Sequence, residues 1–142
     1  MNTQEAQVIT QEARCGVRLN HTLFPIDLRE LRQALAKNGY ELSPMGPIPP
    51  APTRVSFGGD IARKAEIIVT AESTSGEIGV IGRSLKAVEV SFEELVKIID
   101  SELGVNLHEN VRFYWYTVHY KVDTGKLPHK EIDKTGNKEY MK

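Results

Sequence analysis

The sequence predicts an α+β fold, an antiparallel sheet with two helices on one face. Three observations carry this expectation. Asp27-Leu28-Arg29-Glu30-Leu31 and Ser91-Phe92-Glu93-Glu94-Leu95 each read as a helix-opening capping box. In such a box an Asp or Ser side chain accepts a backbone N–H one turn on, and a Glu reaches back to the cap. Strand-like alternation stands before the first box, between the two, and after the second.

The elements follow in chain order. Residues 1–12 form a polar lead-in, able to fray or to add an edge strand. They lack the apolar stretch of a signal peptide. From Ala13 the pattern alternates. Ala13, Cys15, Val17 and Leu19 share one face of a half-buried strand; Arg14, Gly16, Arg18 and Asn20 share the other. Helix one is predicted over Leu28 to Lys37, with Leu28, Leu31, Ala34 and Leu35 as its apolar stripe. Asn38-Gly39 supplies a left-handed stop, and Tyr40 to Leu42 makes a short strand.

Residues 44–53 hold five of the seven prolines and read as a stiff extended connector. Arg54 to Phe57 reads as a strand, and Gly58-Gly59-Asp60 as a turn. Ala65, Ile67, Val69 and Ala71 then alternate with Glu66, Ile68, Thr70 and Glu72. Ser73-Thr74-Ser75-Gly76 turns the chain into a hairpin partner, Glu77 to Ile81.

Helix two is placed after Ser91. Its apolar face of Phe92, Leu95, Val96, Ile98, Ile99 and Leu103 is broader than that of helix one, and Gly104 ends it. Val111 to Val122 is the strongest strand, rich in aromatic and β-branched residues. The domain is thus expected over 13–122, with residues 123–142 as a charged, flexible tail.

Composition bounds the function. The chain has 142 residues, a formal charge of −1, 40% hydrophobic and 26% charged residues. That suits one globular domain and gives no global attraction to nucleic acid or an anionic membrane. One cysteine forbids an internal disulfide and a multi-cysteine zinc site. A cytoplasmic location, no membrane partner and no cofactor are the corresponding expectations.

The chemistry-bearing residues form no familiar constellation. Cys15 sits on an apolar strand face, as a small buried hydrophobe does; a catalytic thiolate there would need His21 or His119 as its base. The four histidines, His21, His108, His119 and His129, offer no pair at helical ligand spacing. Gly82-Arg83-Ser84 is a candidate anion-binding nest.

The last strand is the segment with most functional content. Its odd face carries Phe113, Trp115, Thr117 and His119; its even face carries Tyr114, Tyr116, Val118 and Tyr120. Two helices cover one side of a sheet, so aromatics on the other side meet a partner or a covering segment. Phe113, Trp115 and His119, with Arg14 and Arg18, are the candidate partner-binding residues.

The expected function is a non-catalytic association module, self-assembling as a homodimer or larger homo-oligomer, or binding a partner. The alternatives are single-stranded RNA or DNA binding on the sheet face and a small enzyme using Cys15 or a histidine. The element order over residues 13–122 is similar to a ferredoxin-like plait with an extra strand or two. That is a resemblance of architecture, resting on no motif and implying no activity.

Overall fold

The computed structural model describes residues 7–21, 24–46 and 58–123. Expectations for residues 1–6, for most of the proline-rich connector, for the strand at 54–57 and for the tail beyond Asp123 fall outside these. The elements are β1 (Gln7–Leu19), α1 (Leu28–Lys37), β2 (Glu41–Leu42), β3 (Gly58–Lys64), β4 (Ile67–Glu72), β5 (Glu77–Gly82), α2 (Leu85–Ile98) and β6 (Val111–Asp123). A π turn, Ile99–Leu103, and a 3₁₀ turn, Leu107–Asn110, lie between α2 and β6.

The six strands form one antiparallel sheet in the order β2-β3-β4-β5-β1-β6. The first strand of the described residues, β1, is therefore an inner one, paired with β5 on one side and with β6, the last of them, on the other. β1 begins at Gln7, so part of the expected lead-in is strand. Its first six residues extend past the β5 pairing, which starts at Ala13, and pair with β6 alone.

Register sorts the side chains. Cys15, Val80, Val69 and Ala62 stand side by side across four strands, as do Val17, Ile78 and Ala71. All are buried. This face meets both helices, with Leu28, Leu31, Ala34 and Leu35 of α1 and Val88, Phe92, Leu95, Val96 and Ile98 of α2 in one continuous core. The alternation from Ala13 to Leu19 thus reads directly as inside against outside.

Helix α1 starts and stops as its sequence dictates. Asp27 Oδ1 accepts from the backbone N–H of Arg29 at 2.9 Å and of Glu30 at 3.5 Å. Gly39 follows the last turn at φ 91°, a conformation costly for a residue with a Cβ. Tyr40 donates to Glu94 at 2.7 Å and ties the end of α1 to α2.

Three local readings are corrected. Helix α2 opens at Leu85, six residues before Ser91. Ser84 is the cap and accepts from Ala87 N–H at 3.1 Å. Ser91 lies within the helix, and its spacing to Glu94 is a coincidence of composition. The extra turns bring Val88 into the core, and that burial outweighs the poor helix propensity of Val88 and Val90. Gly58-Gly59-Asp60 is strand, because Gly58 leaves room for the Glu72 carboxylate across the β3–β4 pair. Ala65 is turn, at φ 55°, and links β3 to β4.

Candidate functional site

The face of the sheet turned away from the helices is set by the even residues of β1 and the odd residues of β6. Arg18 pairs with Phe113, Gly16 with Trp115, Arg14 with Thr117 and Glu12 with His119. The five candidate residues Phe113, Trp115, His119, Arg14 and Arg18 therefore share this face. Thr70 and Glu72 of β4 join them, while Glu66 lies in the β3–β4 turn.

Trp115 is not a free aromatic. Its ring lies across the backbone of two glycines on neighbouring strands, Gly16 and Gly79. A Cβ added to Gly16 would stand 2.8 Å from Trp115 Cζ2, and one added to Gly79 would stand 3.1 Å from it. Register places Gly16 and Gly79 opposite one another, so the pair makes a floor two strands wide for the indole. Half-buried there, Trp115 keeps its Nε1–H enclosed with no acceptor among the described residues. In the sequence, Gly16 is only a break in a strand; its reason lies about a hundred residues downstream.

Phe113 is 44% exposed, with the Arg18 guanidinium 6.0 Å from its ring centroid. Arg14 is held by Glu12 at 2.7 Å, an exposed pair of small energetic weight. His119 is half-buried.

The exposed aromatics continue on the helix side of β6. Tyr114 is 48% and Tyr116 is 59% exposed, because α2 packs over β1, β5 and β4 and leaves the last strand open. His108 Nδ1 and the Tyr114 hydroxyl are 2.5 Å apart, and His108 Nε2 stands 3.8 Å from Glu93. Partial desolvation, then the Glu89 carboxylate, raises the Tyr116 hydroxyl pKa above its ordinary value. Among the described residues β6 is also an edge, thirteen residues long, whereas the opposite edge, β2, has two.

Cys15 lies under α2, where its Sγ faces the Val88 carbonyl at 3.8 Å. Burial first, then Glu89 and Glu93, pushes its thiol up to about 11, so it stays protonated at neutral pH. His119 belongs to the opposite sheet face and cannot serve it as a base. Of the other candidates, Arg83 pairs with Glu66 at 3.2 Å, Ser84 caps α2, and Gly82 lies against Ile67 and Val88. Among the described residues no group of three His, Cys, Asp or Glu side chains is gathered for a metal, and no helix is long and apolar enough to cross a membrane.

Comparison of the chain with family models, curated proteins and solved structures gives no match.

Proposed function

We propose that this protein is a non-catalytic association module that works through the edge strand β6, with a second copy of the chain as its partner. The observation that supports this most is the exposure of Phe113, Tyr114 and Tyr116, three successive aromatics but for Trp115, on both faces of a long edge strand. An edge strand presents backbone donors and acceptors; β6 has no proline and is long, with Arg112 and Lys121 towards its ends and the aromatics between them. Antiparallel pairing of two β6 strands about a two-fold axis satisfies that backbone and buries the aromatics of both faces at once. Tyrosine and phenylalanine are the side chains that anchor such contacts.

The architectural reading goes with it. We read the strands β6-β1-β5-β4 with the two helices as a ferredoxin-like plait, with β2 and β3 added beyond β4; the sheet order supports this reading. In this reading the added strands close one side of the sheet and leave association to the other.

Sedimentation over a concentration series tests the function, comparing wild type with Tyr114→Lys/Tyr116→Lys and checking the fold by circular dichroism. We expect a wild-type mass rising toward the dimer. Losing a central anchor removes about 2 kcal/mol, or roughly a thirtyfold weaker association. A wild type that stays monomeric at high concentration refutes the proposal, as does an unchanged oligomer in the folded variant. A monomer whose Trp115 emission is quenched by single-stranded oligonucleotide favours the nucleic-acid alternative.

A further inference from the structure

At the end of the sheet where β1 stops, four pieces of chain from three remote stretches of sequence line a cleft of about 370 Å³. They are the end of β1 with residues 18–21, Phe24-Pro25, the β4–β5 turn Ser73–Gly76, and the start of β6. Backbone bonds hold them together. Leu19 N–H donates to Gly76 O and Asn20 N–H to Asn110 O, each at 2.7 Å. His21 Nε2 meets Asn110 Oδ1 at 2.9 Å.

The charge in this cleft has one sign. Among the described residues its ionisable lining is Arg18, Arg112 and His21, with no Asp or Glu. Among the described residues neither arginine has an ion pair or a hydrogen bond. The Arg18 guanidinium lies over the Phe113 ring, and Glu77, its neighbour across the β1–β5 pair, stays beyond ion-pair distance. Two unengaged guanidiniums at one site are notable in a chain with 19 acidic and 18 basic residues. Arg112 owes its place to a register shift. Phe113 pairs with Arg18 and Val111 with Leu19, so Arg112 has no residue opposite it. Such bulges re-aim a side chain out of the ladder. The Ser75 hydroxyl in the facing turn is enclosed, with no hydrogen-bond partner among the described residues.

We infer that this cleft is a binding site for a small phosphorylated ligand, its phosphoryl group held by Arg18 and Arg112. Guanidinium forks match the several oxygens of a phosphoryl dianion, and their hydrogen bonds to it are charge-assisted. The volume suits a phosphoryl group with a small organic body, at the lower end of ordinary ligand pockets. The walls formed by Phe24, Pro25 and the turn make an end-pocket; a polymer backbone needs a groove that runs on. Association through β6 is a separate property, and neither depends on the other.

The test uses the full chain and two-dimensional amide NMR, titrated with inorganic phosphate, with glycerol phosphate, and with a single-stranded oligonucleotide. We expect saturable shifts clustered at residues 18–21, 73–76 and 112 with both small phosphates, and tighter binding of the ester. Arg112→Gln lies at an exposed position and leaves the fold intact. It should weaken phosphate binding by about tenfold or more, the loss of a charge-assisted hydrogen bond. Arg83→Gln, whose arginine is already paired with Glu66, should bind as wild type does. Absence of clustered shifts at 10 mM phosphate overturns the inference, in units set by a K of about that size. Equal weakening in both variants does so too, since it reports general charge screening. Binding that strengthens with oligonucleotide length assigns the arginines to a nucleic-acid track and overturns the small-ligand site.

Discussion

Gly16→Ala is a one-carbon change that should unsettle the middle of the sheet. The added Cβ would lie 2.7 Å from Gly79 Cα and 2.8 Å from Trp115 Cζ2, and it would also collide with the Ile78 carbonyl. Ordinary contact begins near 3.4 Å, so the β1–β5 backbones must part by about 1 Å and the indole must also give way. Two of the three obstacles are backbone atoms of a paired strand, which yield less readily than side chains. Overpacking of this kind costs roughly 1–3 kcal/mol, and we place Gly16→Ala near the top of that range. For a domain of this size that is a fall in Tm of about 10 °C. Urea unfolding followed by both circular dichroism and fluorescence reads the effect twice, since Trp115 is the single tryptophan. Its emission should shift to the red in the folded variant. Gly82→Ala is the contrast, because its Cβ meets only the side-chain ends of Ile67 and Val88, which can turn aside at smaller cost. Adding Trp115→Ala to Gly16→Ala should recover part of the loss, with a coupling of order 1 kcal/mol between residues in contact. An unfolding midpoint and an emission maximum both equal to wild type in Gly16→Ala would refute the packing argument.

Two further outcomes follow from α2 and the strand beneath it. Ser84→Ala should lower stability by about 1 kcal/mol and Ser91→Ala by much less, since Ser84 holds the Ala87 N–H and Ser91 lies mid-helix; urea midpoints separate the two. Cys15 should resist thiol reagents in the native state at pH 7–9 and react at once in denaturant. Its raised pKa means the folded chain binds more protons than the unfolded chain between the ordinary thiol value of 9.0 and about 11, so stability is full below that window and falls as pH rises through it. A pH titration of the urea midpoint checks the sign.

Where cause and effect are local, the sequence was readable. The alternation from Ala13 to Leu19, the Asp27 cap, the Asn38-Gly39 stop and the Ser73–Gly76 turn each act through neighbouring residues, and each stands where it was expected. The start of α2 was misplaced because a Ser-x-x-Glu spacing is a necessary mark of a capping box and not a sufficient one. What decides between Ser84 and Ser91 is whether Val88 finds a core, and that depends on Cys15 and Gly82 across the sheet. Gly58-Gly59-Asp60 has turn composition, yet its pairing with β4 makes it strand. The helix-covered and open faces of β6 could be separated by parity, which put Phe113, Trp115, Arg14 and Arg18 together. The role of Gly16 could not be read, since its partner is a ring on a strand joined only by topology. The phosphoryl cleft was missed for the same reason. Arg112 enters it through a one-residue register shift, and no periodicity in Val111-Arg112-Phe113 announces a shift.

The inner position of β1 has a consequence in time. Its two neighbours, β5 and β6, are the last two strands of the described chain, and the outermost pairing joins Gln7 to Asp123. Pairings so distant in sequence carry a loop-closure penalty and slow the search for the native state. During synthesis β1 emerges first and waits with both edges unpaired and Cys15 uncovered, until the β4–β5 hairpin arrives to cover one side. β6 takes β1 as its template, and with β5 in place its arrival lays Trp115 across Gly16 and Gly79 and encloses the tryptophan. Trp115 emission should therefore mark the final event of folding, and a chain stalled before it would expose the stickiest strand it possesses.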